Sequence, residues 1–343
     1  MLTRNIFGID MGTSMVKVYS HKKNHIVAEK NILAIRNKKY ILAVGNEAYE
    51  MYEKNPDTID IKRSMSYGMI ADIDSAQVVL SELLFRADKH MGKRASLVFA
   101  VPMDMTEIEK RAYFYITKTS ELKKFKIHLL ERPLADAVAM GIDIESRTGS
   151  LVVNIGAQST EISIISEGKV IVSKVLHIGG ENLNRAIRDN VRRRKNLLIG
   201  DRTAQRLKHV LATFDGESKE ARKIVGLNTL SGLPREGIIS SAFIQETIRE
   251  TIKNIGEEIR FFLERTPPQV AKIVRADGIY LAGGSSQIPH LGDYLKDYLG
   301  CPVRVSEDYD MCTIQGLKTI IADKNLRFKL IDKNEKMLIK IKE

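Results

Sequence analysis

The feature that most constrains this chain is a strand–turn–strand unit that occurs twice. The first runs Ile6-Phe7-Gly8-Ile9-Asp10-Met11-Gly12-Thr13-Ser14 and continues into the apolar stretch Met15 to Tyr19. The second keeps the frame but alters the turn: Leu151 to Ile155, then Gly156-Ala157-Gln158-Ser159-Thr160, then Glu161 to Ile165. Apolar runs on either side of a tight glycine turn read as paired strands, and the restart after Thr148-Gly149-Ser150 predicts two related halves. Such a turn points backbone N–H groups at an anion's oxygens, while an Asp or its substitute reaches a bound metal through water. Two of them facing each other across a cleft can grip a polyphosphate from both sides. A third turn, Ile279-Tyr280-Leu281-Ala282-Gly283-Gly284-Ser285-Ser286, is expected between a strand and a helix, a context suited to the nucleoside or α-phosphate. One glycine-rich hairpin is usually only a hairpin. Three in this order predict a nucleotide cleft, lined by Asp10, Gly12, Thr13, Ser14 and Met15, by Gly156, Ala157, Gln158 and Ser159, and by Gly283 to Ser286.

Composition narrows the partners. At 343 residues the chain has room for two domains with ample core. No apolar run is long enough to span a bilayer, and the first residues lack a signal-peptide core. Cys301 and Cys312 have no partners at metal spacing and suit a reducing cytoplasm. The formal charge is 54 − 43 = +11. Clusters such as Lys22-Lys23, Lys93-Arg94 and Arg192-Arg193-Arg194-Lys195 read either as solvated surface or as attraction to anionic lipid or an acidic partner. Nucleic acid is not expected: no aromatic residue interleaves these clusters and no nucleic-acid motif is present.

Alternating strands and helices argue an α/β fold. Ser96 to Val101 reads as a buried strand. Asp104 to Ser120 reads as a helix capped by Asp104 or Thr106, with Ile108, Ala112 and Ile116 on one face. Pro133 opens another helix in the manner of first-turn prolines, and its small residues Ala135, Ala137, Ala139 and Gly141 permit close packing. Glu181 to Arg194, Thr203 to Ala212, Gln245 to Arg265 and Cys312 to Ala322 read as further helices. Two alternating runs in the tail, Arg327 to Ile331 and Met337 to Ile341, read as a hairpin.

Several stretches with no generic structural cause carry a resemblance. Gly8-Ile9-Asp10-Met11-Gly12-Thr13, Ile41-Leu42-Ala43-Val44-Gly45-Asn46-Glu47-Ala48-Tyr49-Glu50-Met51, Gly68-Met69-Ile70-Ala71-Asp72 and Asn196-Leu197-Leu198-Ile199-Gly200 are four of them. Arg202-Thr203-Ala204, Ser231-Gly232-Leu233-Pro234 and Thr266-Pro267-Pro268 are others. On these residues the chain resembles the bacterial actins of the MreB family over nearly its whole length, and its Lys-rich, Trp-free composition leans toward the divergent paralogues of wall-less bacteria. The resemblance implies a duplicated, ribonuclease H-like actin fold of four subdomains around a nucleotide cleft. Residues 1–32 and 75–145 would form one core subdomain with 33–74 as its small companion. Residues 146–180 and 245–322 would form the other, with 181–244 as its companion and 323–343 as a basic tail. It also implies ATP with Mg²⁺, self-assembly into paired protofilaments, possible co-assembly with paralogous bacterial actins, and a cytoplasmic protein peripheral to the inner face of the membrane. Gln205, Arg206, Leu207 and Lys208 match the family's adenosine-contacting helix. Lys17 stands where conventional actin places a phosphate-contacting lysine.

Where the chain departs from the family, the departures fall on the chemistry. The family's second turn reads Asp-Ile-Gly-Gly-Gly-Thr-Thr-Glu, so Asn154 lacks the charge that would order a metal's waters. Ala157 and Gln158 add side chains near the γ-phosphate, and Ser159 replaces a threonine. The family's Glu-Glu-Pro is Glu131-Arg132-Pro133 here, which puts a guanidinium at the water-positioning site, where it cannot accept a proton. Arg132 and Ser159 are thus the degenerate catalytic pair, with Glu131 the fallback, and Asp10 and Asn154 the metal positions. The expectation is a membrane-associated, shape-controlling filament protein with weak ATP hydrolysis. The alternative is a nearly hydrolysis-dead scaffold. A sugar or acetate kinase of the same superfamily would need a base for the substrate hydroxyl, and none is apparent. A chaperone would need a further peptide-binding domain. His90-Met91-Gly92-Lys93-Arg94 is the expected membrane contact, and Ile41 to Met51 and Leu227 to Pro234 the expected filament contacts.

Overall fold

In the computed structural model, which describes residues 5–92, 95–118 and 121–332, the chain divides into two units. One takes in the chain up to Arg147, Ser163–Ser173 and the part from Asp310 on, and the other takes in Thr148–Ile162 and Lys174–Tyr309.

The first unit is built on a five-stranded sheet in the order Lys126–Glu131, Ala95–Val101, Asn5–Met11, Met15–Ser20, His25–Lys30. The Asn5–Met11 strand pairs antiparallel with Met15–Ser20 across the first turn and parallel with Ala95–Val101. Both faces of this sheet are covered, so its strands read as near-continuous apolar runs. On one face Phe7, Ile9, Met11, Leu97 and Phe99 join Leu80, Leu83, Leu84, Tyr113 and Ile116 of the helices Ile73–Ala87 and Glu107–Lys118 in a single core cluster. The second of those helices starts at a capping box. Thr106 Oγ1 accepts from the Glu109 amide at 3.3 Å, and the Glu109 carboxylate takes the Thr106 amide at 2.7 Å. Thr106, not Asp104, is therefore the cap. Ile108 also departs from expectation. It is 81% exposed, because the inward face carries Tyr113, Ile116 and Thr117 instead.

On the other face of the sheet the Cys312–Ala322 helix packs against the strands and against the Arg132–Ala139 helix. The expected small-residue contact is found here. A Cβ on Gly316 would lie 1.8 Å from the Ala135 carbonyl oxygen, so only glycine allows the two backbones to meet. Beside it the buried Asp136 carboxylate accepts from Thr313 Oγ1 at 2.6 Å. A smaller three-stranded sheet, Tyr40–Val44, Leu33–Arg36 and Ile59–Lys62, belongs to the same unit. The expected tail hairpin is not seen in its first half. Asp323 caps the helix Lys324–Arg327 by accepting from the Asn325 and Leu326 amides, and Phe328–Asp332 continues as a wide helical turn that buries the consecutive Leu330 and Ile331. Met337 to Ile341 lie outside the described residues.

The second unit repeats the arrangement. Its sheet runs Val303–Val305, Ile279–Ala282, Ser150–Ile155, Thr160–Ser166, Lys169–Leu176, with Ser163–Ser173 of the last two strands counted in the first unit. In both sheets, then, the first three strands are adjacent in sequence order and two later strands add on the far side of the first. In both sheets those added strands pair parallel. The long helix Ser241–Glu264, read from Gln245 to Arg265 in the sequence, buries Ile244, Ile248, Ile252, Ile255 and Ile259 along one face. The segment Leu197–Leu198 with the hairpin Ala221–Asn228 and Pro234–Ser240 forms a three-stranded sheet. No helix among the described residues is long and apolar enough to cross a membrane.

Candidate functional site

The two turns are closed by the same hydrogen bond. Gly12 N–H donates to Met15 O at 2.9 Å, and Gly156 N–H donates to Ser159 O at 2.8 Å. A Cβ at either glycine would press on that acceptor, 2.9 Å from Met15 O and 3.1 Å from Ser159 O. The duplicated sequence therefore yields two backbone loops closed in the same way, a tight-turn geometry of the kind that presents backbone amides to anions.

In the first unit the turn is pinned from outside. Asn31 Nδ2 donates to Gly12 O at 2.8 Å, Asn31 N–H donates to Ser14 O at 2.9 Å, and Ser64 Oγ donates to the Asn31 amide oxygen. Thr13 Oγ1 accepts from the Gly68 amide at 3.1 Å. Asn31, Ser64 and Gly68 were not read from the sequence as site residues, because residues so far along the chain carry no local signal of where they will dock.

Asp10, nearly buried at the end of its strand, is held by two cations. Lys17 Nζ lies 3.2 Å from its Oδ2, across the paired strand, and Arg132 Nε lies 4.0 Å from its Oδ1. Arg132 thus approaches the expected metal position, an outcome its place at the start of the Arg132–Ala139 helix does not reveal by itself. Glu131, one residue earlier, accepts a hydrogen bond from the Val170 amide, and burial raises its carboxyl above the ordinary carboxylate value against that bond. Behind the cluster stands Tyr113, wholly buried. Burial pushes its phenol above the ordinary value, and the Arg132 charge opposes the rise.

In the second unit the helix Gly180–Lys195 docks its start on the turn: Gly180 N–H donates to Gly156 O at 2.9 Å, and Glu181 N–H to Ala157 O at 2.7 Å. Gln158 does not stand free to crowd a phosphate, as its side chain was expected to. Its Nε2 donates to Glu181 Oε2 at 2.8 Å. Lys208 Nζ, buried, donates to Gly180 O at 2.9 Å. Ser285 Oγ and Lys208 Nζ lie 3.0 and 3.1 Å from where a Gly180 Cβ would be. The structure therefore gathers the second turn, Lys208 and the Gly283–Ser286 turn around Gly179-Gly180, which sequence reading missed; the Gly-Gly pair ahead of a helix was the available signal. Ser286 Oγ is committed to Gly283 O at 2.7 Å. The third turn is followed by a short 3₁₀ turn, Gly284–Gln287, and the helix Leu291–Leu299 begins only later. Of the expected adenosine-contacting residues, Gln205 is half-buried and Arg206 exposed, while Leu207 sits in the core beside Ala204 and Leu211.

Two other expected sites are altered. Met91 is partly buried against the first unit's core cluster, and Lys93 and Arg94 lie outside the described residues. As for Mg²⁺, Asp10 already faces two cations and Asn154 is uncharged, and no grouping of three His, Cys, Asp or Glu able to hold a metal occurs among the described residues. The donor set does not fit a divalent ion held through carboxylate-ordered water.

Comparison with known proteins places this geometry. The cell shape-determining protein MreB of Escherichia coli K12 is 31% identical over 320 residues, 91% of this chain and 92% of that protein. The cell shape-determining protein Mbl of Bacillus subtilis is 30% identical over 319 residues, 92% of this chain and 95% of that one. MreB5 of Spiroplasma citri, solved bound to ADP, superposes with a TM-score of 0.89 at 29% identity, covering 95% of this chain and 98% of that one. The MamK double helical filament shares the fold at 17% identity, with a TM-score of 0.78. The actin-like fold expected from the sequence is borne out. Since the family model for MreB/Mbl proteins matches residues 4–328, this chain belongs to the MreB/Mbl family.

Proposed function

We propose that this chain is a nucleotide-dependent bacterial actin that binds ATP through both glycine turns and polymerises into filaments that serve cell shape. The observation that carries the reading is the pair of turns closed by one and the same glycine amide bond, at equivalent places in two sheets of equivalent order. S. citri MreB5 has been solved with ADP and with AMPPNP, which supports a nucleotide here. Asp10, Gly12, Thr13, Ser14, Met15 and Lys17 would serve one side of it. Gly156 to Ser159, Gln205, Arg206, Lys208 and Gly283 to Ser286 would serve the other, with the four subdomains and tail bounded as read from the sequence except that residues 310–322 go with the first core subdomain. Any Mg²⁺ would enter with the phosphates, because Asp10 offers only a carboxylate already paired with cations.

Exposed apolar residues support self-assembly. Ile41 is 51% exposed in one expected contact, and Leu230 and Leu233 are 88% and 65% exposed in the other. Hydrolysis is proposed to be weak, since Arg132 stands where a carboxylate would orient water. A position at the inner face of the membrane would rest on the charge of +11 and on multivalence along a filament, with paralogous actins as further partners. Electron microscopy of the purified protein with and without ATP, beside phosphate release, tests the whole. Filaments that need ATP and release little phosphate are expected. A monomer under all nucleotide and salt conditions overturns the reading.

A further inference from the structure

We infer that Lys30 is a further phosphate-binding cation of the first turn and favours a nucleoside triphosphate over the diphosphate. The inference rests on the nucleotide reading above and deepens it. Residues opposite each other in a sheet share a face, and so do residues two apart on one strand. Asp10 stands opposite Lys17, and Met15, two residues before Lys17, stands opposite Lys30. All four side chains therefore leave the sheet on one side. It is the side on which a Cβ at Gly8 would meet Leu317 and Ile321 of the Cys312–Ala322 helix. Lys30 also comes immediately before Asn31, whose backbone amide holds Ser14 O and whose side chain holds Gly12 O. The chain thus carries Lys30 to the edge of the turn, on the face that Asp10 and Lys17 occupy.

The two lysines of this face are not equivalent. Lys17 lies 3.2 Å from Asp10 and is matched by its carboxylate. The Lys30 ammonium rests over the Tyr49 ring, 5.0 Å from the centroid, and among the described residues it has neither a hydrogen-bond acceptor nor a carboxylate at ion-pair distance. It is half-buried, and burial lowers it below the ordinary lysine value. The Asp310 charge opposes that fall, while the charges of Arg63 and Lys17 add to it. An ammonium drawn out of water and set near like charges is costly to leave without an acceptor. A phosphate oxygen is the acceptor it lacks, and the bond so formed is charge-assisted. Each further phosphate brings more negative charge into the field of this cation. Lys30 therefore distinguishes three phosphates from two, whereas Lys17, already matched by Asp10, does so less.

The test is calorimetric titration of ATP and of ADP, each with Mg²⁺ in excess, into the full chain. The proteins are the parent, Lys30→Gln, Lys30→Met and Lys30→Arg, with folding checked by circular dichroism. The two neutral variants are expected to bind ATP about tenfold more weakly than the parent, about 1.4 kcal/mol, and to lose clearly less for ADP. Lys30→Arg, which keeps the charge, should stay within about threefold of the parent for ATP. Lys30→Met keeps an apolar stem against Tyr49, so the test survives if the glutamine variant fails to fold. A folded neutral variant that binds ATP as the parent does overturns the inference. So does an equal loss for both nucleotides, or an arginine variant as weak as the neutral ones. Binding of neither nucleotide by the parent overturns the nucleotide reading itself, and the inference with it.

Discussion

The two glycine turns show one backbone solution carrying two different side-chain chemistries. In both, a glycine amide closes the loop on the oxygen three residues ahead, and in both a Cβ would press on that oxygen. The carboxylate at the end of the strand is kept in the first as Asp10 and lost in the second as Asn154. The first turn is ringed by charge from Lys17 and Arg132. The second is ringed by hydrogen bonds from Gly180, Glu181 and Gln158. Loop geometry is set by glycine and the strand ladder and survives exchange of the side chains. Grip on a phosphate and activation of water are separable for the same reason, since backbone amides supply the first and side chains the second.

The largest expected effect breaks the second half of that comparison. Phosphate release should run about 10² to 10⁴ below that of a relative with the Glu-Pro and threonine pair intact, the usual cost of losing a proton-handling group. Arg132→Glu alone should recover part of it. Adding Ser159→Thr and Asn154→Asp should recover more than the product of the single effects, because such groups act as a unit. Gln158→Gly alone should change little, since that side chain is already drawn to Glu181. A parent rate equal to that of an intact relative would place the water-positioning group elsewhere, with Glu131 the first to substitute.

Next come the glycines themselves. Gly12→Val and Gly156→Val should each weaken ATP binding by about 100-fold, some 2.7 kcal/mol, with circular dichroism unchanged. Equal losses in a binding titration would show both turns in use. A loss confined to Gly12→Val would make the second turn a relic of the duplication.

A third change touches packing special to the first unit. Gly316→Ala would set a Cβ 1.8 Å from Ala135 O, a clash with backbone that no rotamer relieves. It should cost about 3 kcal/mol, the upper part of the range for overpacking. Thermal unfolding should show the first unit melting earlier, and an unchanged transition would mean that the two helices separate at little cost.

The smallest effect concerns Glu131. Its folded carboxyl titrates above the ordinary value because it is buried. Between the two values the folded state holds a proton that the unfolded chain has lost, so stability falls as pH rises through that window and stays lower above it. Glu131→Gln, whose amide oxygen still accepts the Val170 N–H, should therefore raise Tm at neutral pH, and the gain should vanish below about pH 4. A gain of the same size at both ends would assign the effect to packing.

Much of this was legible along the chain because it is local. Apolar alternation gave the hairpins, Pro133 the start of its helix, and the amphipathic spacing from Gln245 to Arg265 the long helix. Locality also explains the errors. Ile108 and Ile116 are eight residues apart and looked like one face, but Tyr113 claimed the inside and Ile108 was left in water. Arg327 to Ile331 alternated well enough for a strand, yet Asp323 capped a helix there and two consecutive residues went into the core.

By itself the sequence determined the duplication, the two turns and the family, since strand period, glycine spacing and motif are properties of neighbouring residues. Only the tertiary structure decided what the side chains of the turns meet. Asp10 and Arg132 are 122 positions apart in numbering, and the parallel pairing of Asn5–Met11 with Ala95–Val101 and then Lys126–Glu131 brings them together. Asn31 and Ser64 close on the first turn, and Gly180 and Lys208 gather at the second, in the same way. A charge acts through space over a few ångströms whatever the length of chain between. Whether Arg132 faces solvent, phosphate or Asp10 is therefore settled by how the strands stack.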